Sequence, residues 1–155
     1  MGSFEDVGSP ALHNPRVFIA EDSVLISMDL EEILKGIGCL IVGISSSNGQ
    51  SLHVIDRDDI DVAVVDHLLN DGTSEPLTRA LAAKAIPFVI CTGSAPQAIA
   101  SCHPGAPVLY KPYNTEDVCR VVSELALRRV PEKALLTIQR LAGDTDCAET
   151  ACSPG

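Results

Sequence analysis

The chain has 155 residues, enough for one domain with a well-buried core and a little spare length. An apolar fraction of 46% with 21% charged residues is that of an ordinary globular protein, and 3% aromatics with no Trp leaves the core to aliphatic side chains. A formal net charge of -10 argues against a basic face, and so against nucleic acid as a direct partner.

Residues 1–15 carry Gly, Ser, Pro and Asn and read as a flexible leader. The run Arg16-Val17-Phe18-Ile19-Ala20 is short and apolar, as a buried strand should be, and it ends at the acidic pair Glu21-Asp22. From Ser23 onward, Ile26, Leu30, Ile33, Leu34 and Ile37 recur at helical spacing, and Gly36 with Gly38 predicts the stop. A second strand over 39–44 leads through the loop Ser45-Ser46-Ser47-Asn48-Gly49 to a weaker helix over 50–57. The third strand, 61–66, contains Val62-Ala63-Val64-Val65 and closes on Asp66. After the turn Asn70-Asp71-Gly72, Thr73 or Ser74 is placed to cap a helix running to Ala85, with Pro76 in its first turn. A fourth strand over 87–92 ends at Thr92, 95–102 makes at best a short, poorly packed helix, and a fifth strand over 106–110 ends at Lys111-Pro112. Asn114 should cap the last strong helix with Asp117 reaching back, and Val118, Val121, Val122 and Leu125 supply its buried stripe.

Five rounds of strand then helix predict one α/β domain over residues 16–130, a parallel sheet with helices on both faces. Pro131 breaks the pattern; residues 131–142, with Ala134, Leu135, Ile138 and Leu141, read as an additional helix, and 143–155 as a disordered tail. The six cysteines form no Cys-x-x-Cys pair and are expected to be free thiols in a reducing compartment. No run approaches the ~20 apolar residues that cross a bilayer, and residues 1–15 lack a basic segment followed by an apolar stretch. No membrane partner and a cytoplasmic location are expected.

In an open α/β sheet, reactive groups gather outside the carboxyl ends of the strands. Glu21, Asp22, Asp66, Thr92 and Lys111 all stand at such ends. At about 4 Å and an effective dielectric near 20, each carboxylate pair repels by roughly 4 kcal/mol, so three acids need raised pKa values or a bound cation. Oxygen-rich donors suit Mg²⁺, with Asp22 and Asp66 as direct ligands, Glu21 acting through a water, and the Leu68 carbonyl as a neutral ligand. Asp66 is the expected phosphorylated nucleophile, with Lys111 and Thr92 binding phosphoryl oxygens. His67 reads as a partly exposed loop histidine, and His13, His53 and His103 have no acidic or nucleophilic partner at an interpretable spacing.

From about Arg16 to Leu127 the chain resembles the receiver domains of two-component response regulators. The resemblance rests on Phe18-Ile19-Ala20-Glu21-Asp22, Val64-Val65-Asp66, Ile90-Cys91-Thr92-Gly93 and Leu109-Tyr110-Lys111-Pro112-Tyr113. It implies a flavodoxin-like, doubly wound five-stranded sheet of order 2-1-3-4-5. It also implies Mg²⁺-dependent phosphoryl transfer from a histidine kinase to Asp66, slow self-catalysed loss, and no other enzymatic activity. The short turn from Asp66 to Ser74, with Thr92-Gly93, looks most like stand-alone receivers of the FAT GUY type, although Ile90, Cys91, Ser94 and Ala95 depart from the namesake motif. The family often has an aromatic switch residue three before the lysine. Val108 occupies that position, and Tyr110, which shares its strand face by alternation, is the other switch candidate; packing against a helix is the plainer reading of that tyrosine.

The expected function is a single-domain phosphoacceptor, served by a sensor histidine kinase, that switches a downstream protein or acts as a phosphate sink. Its partner face would comprise the fourth helix, fifth strand and fifth helix, which is also a candidate homodimer surface. Two rivals stand beside this reading. A Mg²⁺-dependent phosphohydrolase with an aspartyl-phosphate intermediate needs an acid two residues after the nucleophile, where this chain has Leu68. A phosphorylation-independent, receiver-like interaction module would have no need of the full acid, Thr and Lys set.

Overall fold

The computed structural model describes residues 14–128. Five strands, β1 (Arg16–Ala20), β2 (Leu40–Ser45), β3 (Val62–Asp66), β4 (Phe88–Thr92) and β5 (Val108–Tyr110), form one sheet in the order β2-β1-β3-β4-β5. Every pairing in it is parallel. Helices α1 (Val24–Gly36), α2 (Asn48–Arg57), α3 (Glu75–Ala83), α4 (Pro96–Cys102) and α5 (Thr115–Arg128) follow the strands in turn. This is the doubly wound α/β architecture expected from the alternating pattern. A two-stranded hairpin, Leu68–Leu69 against Gly72–Thr73, stands between β3 and α3. Most of the leader, the helix expected at 131–142 and the tail at 143–155 lie outside the described residues. No helix among the described residues is long and apolar enough to cross a membrane.

Successive strand residues feed opposite faces of the sheet. Val17, Ile19, Val62, Val64, Val89, Cys91 and Leu109 pack with Leu30 and Leu34 of α1 and with Val118, Val122 and Leu125 of α5. Phe18, Ala20, Ala63, Val65 and Ile90 face the other way, against Ile55 of α2, Leu77 and Leu81 of α3, and Ile99 of α4. All five residues of β3 are buried, because the central strand is covered on both faces. Gly43 fits this packing closely: a Cβ there would meet Val54 at 3.2 Å and Phe18 at 3.4 Å.

Local details differ from expectation where a partner from elsewhere in the chain intervenes. The segment read as a loop at Asn48-Gly49 is already the first turn of α2, because Ser47 accepts the Gln50 N–H at 3.1 Å. Ser74 occupies the N-cap of α3, but its side chain makes no cap hydrogen bond. Thr73 belongs to the hairpin, and the Ser74 hydroxyl is buried without a hydrogen bond. The Leu77 N–H instead donates to Asn48 Oδ1 at 3.3 Å. Asn114 does cap α5, accepting from the Asp117 N–H at 2.7 Å, but the Asp117 carboxylate pairs with Arg120 rather than reaching back. Ile37 stands outside the α1 stripe, 43% exposed at the C-cap. Helix α4 is as thin as expected, with Ile99 its single buried residue.

Candidate phosphoacceptor site

Parallel register puts the carboxyl ends of four strands at one edge of the sheet. Ala20 of β1 lies beside Val65 of β3, and Asp66 beside Cys91 of β4, so the acidic pair after β1 falls next to Asp66. Thr92 lies beside Tyr110, and the Lys111 N–H donates to the Thr92 carbonyl at 2.7 Å, which brings the lysine to the same edge. The Lys111–Pro112 peptide bond is cis. Carboxylate oxygens of Glu21, Asp22 and Asp66 lie within 4.8 Å of one another. Lys111 Nζ lies 3.2 Å from Asp66 Oδ2 and 3.3 Å from Glu21 Oε1. Glu21 and Asp66 are buried, whereas Asp22 stands exposed at the mouth.

Crowding leaves its mark on the acids. Burial first, and then a hydrogen bond with Asp66, push the Glu21 carboxyl up to about 7, only partly offset by the Ser23 N–H and the Lys111 ammonium. Near neutral pH, Glu21 is therefore poised between holding a proton and giving it up. Burial alone would lower Lys111, but the Asp66 and Glu21 carboxylates outweigh it and raise the amine. Burial lifts the Cys91 thiol to about 12, so it is no nucleophile despite its neighbours. Burial raises the Tyr113 phenol as well.

The donor set fits a hard divalent cation: three carboxylates, no sulfur or imidazole, and a buried acid whose proton a cation could replace. The Leu68 carbonyl is also available. Ser74 N–H donates to the His67 carbonyl at 2.8 Å, which makes Leu68 and Thr73 the non-hydrogen-bonded pair of the hairpin. Both of their carbonyls therefore point away from the ladder. Thr92 is buried and its Oγ1 accepts the Ser94 N–H at 2.9 Å, so the hydroxyl proton is left to donate.

The histidines correct the sequence reading. His67 is buried rather than partly exposed, and His103 does have partners. Thr78 Oγ1 donates to the Glu75 carbonyl at 3.1 Å and is hydrogen-bonded to His103 Nδ1 at 2.9 Å; His103 Nε2 in turn is hydrogen-bonded to His67 Nδ1 at 3.3 Å. Burial, followed by the neighbouring His67, lowers the pKa of His103. The chain of bonds ties the end of β3 to α3 and to the C-terminus of α4. Nothing in a separation of 36 residues announces it.

Of the two switch candidates, Val108 packs partly against the α2–α3–α4 side. Tyr110 is 45% exposed rather than packed beneath a helix. It lines a groove of about 630 Å³ with Pro112, Tyr113, Asp117 and Val121, between β5 and the start of α5.

No protein-family model and no curated protein matches the chain. Solved structures do. SdrG from Sphingomonas melonis Fr1 is 33% identical, with 74% of this chain covering 98% of that one at a TM-score of 0.64. The response regulator REC domain of PhyR from Erythrobacter litoralis is 25% identical, with coverages of 76% and 92% and a TM-score of 0.65. The chain belongs to the response regulator receiver domains. The receiver's fold is also that of the receiver domain of sensor histidine kinase PA1611 from Pseudomonas aeruginosa PAO1, which carries a magnesium ion in its active-site cleft. That domain is 19% identical, with coverages of 73% and 98% and a TM-score of 0.66. The sheet order found in this receiver is the flavodoxin-like 2-1-3-4-5 of the family.

Proposed function

We propose that this receiver accepts a phosphoryl group on Asp66 from the phosphohistidine of a sensor histidine kinase, and that the modified form acts through contact with a protein partner or serves as a phosphate sink. One observation carries the reading: Asp66 Oδ2 lies 3.2 Å from Lys111 Nζ while its carboxylate sits within 4.8 Å of those of Glu21 and Asp22. An Asp66 oxygen attacks phosphorus in line as the bond to the histidine nitrogen breaks. The Lys111 ammonium, already beside that oxygen, pairs with one phosphoryl oxygen, and the Thr92 hydroxyl donates to another. Mg²⁺, when bound by Asp22, Asp66, the Leu68 carbonyl and, through a water, Glu21, supplies charge that offsets the acids and stabilises the phosphoryl oxygens. The magnesium in the cleft of the Pseudomonas receiver domain supports that assignment. The four described cysteines are free thiols, in keeping with a cytoplasmic setting.

A phosphotransfer profile tests the proposal. When each purified histidine kinase of the host is labelled and mixed with the receiver, one kinase should lose its label to the receiver much faster than the others. Absence of transfer from every kinase would contradict it.

The partner face we propose is α4, β5 and α5. Only a state in which Thr92 reaches a phosphoryl oxygen gains that charge-assisted hydrogen bond, so phosphorylation shifts the population toward it. Helix α4, with Ile99 as its single buried residue, is the softest element next to the Thr92-Gly93-Ser94 segment. With Val108 in place of an aromatic, Tyr110 or the backbone must carry the change. Amide hydrogen exchange with and without beryllofluoride should show altered protection within residues 92–113. Changes confined to α1 and α2 would place signalling on another face.

A further inference from the structure

Between β3 and α3 the chain makes a hairpin whose turn is held from outside, mainly by one amide side chain. Asn48, buried in the first turn of α2, uses its Nδ2 to donate to Asp71 Oδ1 at 3.1 Å and to the Thr73 carbonyl at 2.9 Å. Its Oδ1 accepts from the Leu77 N–H of α3 at 3.3 Å. The Asp71 carboxylate in return accepts the N–H groups of Asn48 at 2.8 Å and Gly49 at 3.2 Å. These donors, the Asn48 N–H foremost, hold the exposed Asp71 carboxyl below the ordinary range, and the positive end of the α2 dipole favours the same charge. Asn70 N–H adds a bond to the Ser46 carbonyl at 3.0 Å. The turn is thus pinned to the β2–α2 junction.

The pinning bears on Leu68. In a non-hydrogen-bonded antiparallel pair the two carbonyls splay outward in opposite directions. The Thr73 carbonyl is the one that Asn48 takes, which fixes the plane of the hairpin and with it the direction of its counterpart on Leu68. We infer that Asn48 and Asp71 are positioning residues for the cation site, acting through the hairpin on the Leu68 carbonyl. The inference rests on the proposed Mg²⁺ site and extends it to two residues that touch none of its acids. Leu68 itself is 51% exposed, so its own packing restrains the carbonyl little.

Titration calorimetry with Mg²⁺ on wild type, Asn48→Ala, Asp71→Asn and Ser47→Ala tests it, each variant first checked for folding by circular dichroism and thermal melting in chelator. Ser47→Ala removes the cap of α2 without touching the hairpin, and so reports what loss of helix stability alone does. Asp71 is a surface residue, so Asp71→Asn remains informative if Asn48→Ala fails to fold. Groups that orient a metal ligand typically contribute tenfold or more to affinity. The expected result is a dissociation constant raised about tenfold in Asn48→Ala, raised severalfold in Asp71→Asn, and unchanged in Ser47→Ala. Folded hairpin variants that bind Mg²⁺ like wild type would overturn the inference, as would a loss in Ser47→Ala equal to theirs. A wild-type protein that binds no Mg²⁺ would instead overturn the functional reading, and the inference with it.

Discussion

Mg²⁺ affinity is expected to fall about fivefold between about pH 7 and pH 6, approaching tenfold per unit below that, and Glu21→Gln to flatten that dependence. The Glu21 carboxyl is lifted to about 7 by burial and by its hydrogen bond with Asp66, so below that pH a cation must displace a proton to use the site. Each further unit of acidity then costs about 1.4 kcal/mol of apparent binding energy. The same group makes the metal-free protein pH-sensitive in the other direction. Its folded pKa of about 7 lies above the ordinary 4.5, so its contribution to stability is fully present below 4.5 and lost as the pH rises through 7. That loss is on the order of 2 to 3 kcal/mol. The lowered pKa of His103 works oppositely, its contribution being lost as the pH falls, which is why the difference between wild type and Glu21→Gln is the informative quantity. Calorimetric titrations at two or three pH values, with melting curves in chelator, give both slopes. Parallel slopes in the two proteins would remove Glu21 as the titrating acid.

The sheet was legible in the sequence because its inner strand segments alternate between two buried faces: Val17 and Ile19 go to one layer, Phe18 and Ala20 to the other. Its parallel order then brings Glu21, Asp22, Asp66, Thr92 and Lys111 to one edge, so the residues of the site followed from strand ends alone. What stayed hidden depends on partners distant in sequence. An Asn in an apparent Ser-rich loop gives no sign that it caps a helix 29 residues later, as Asn48 does for Leu77. Asp71 read as a turn residue, yet its carboxylate serves the N-terminus of α2. His67 misled for a related reason. A residue next to an active-site strand end is usually solvated, but α3 and the segment after α4 close over this one and supply Thr78 and His103. Pattern and propensity carry local information, and a buried polar chain is a tertiary fact.

The identity of the phosphoacceptor is the claim on which the rest depends, and intact mass tests it directly. Asp66 ends the buried central strand with Lys111 Nζ 3.2 Å away, and its carboxylate clusters with those of Glu21 and Asp22. Asp66→Asn keeps the shape but replaces the anionic oxygen with an amide, a far weaker nucleophile. Incubated with acetyl phosphate and Mg²⁺, wild type should gain the mass of a single phosphoryl group, dependent on the metal, and Asp66→Asn should gain none. An adduct of equal yield on Asp66→Asn would contradict the assignment of this site.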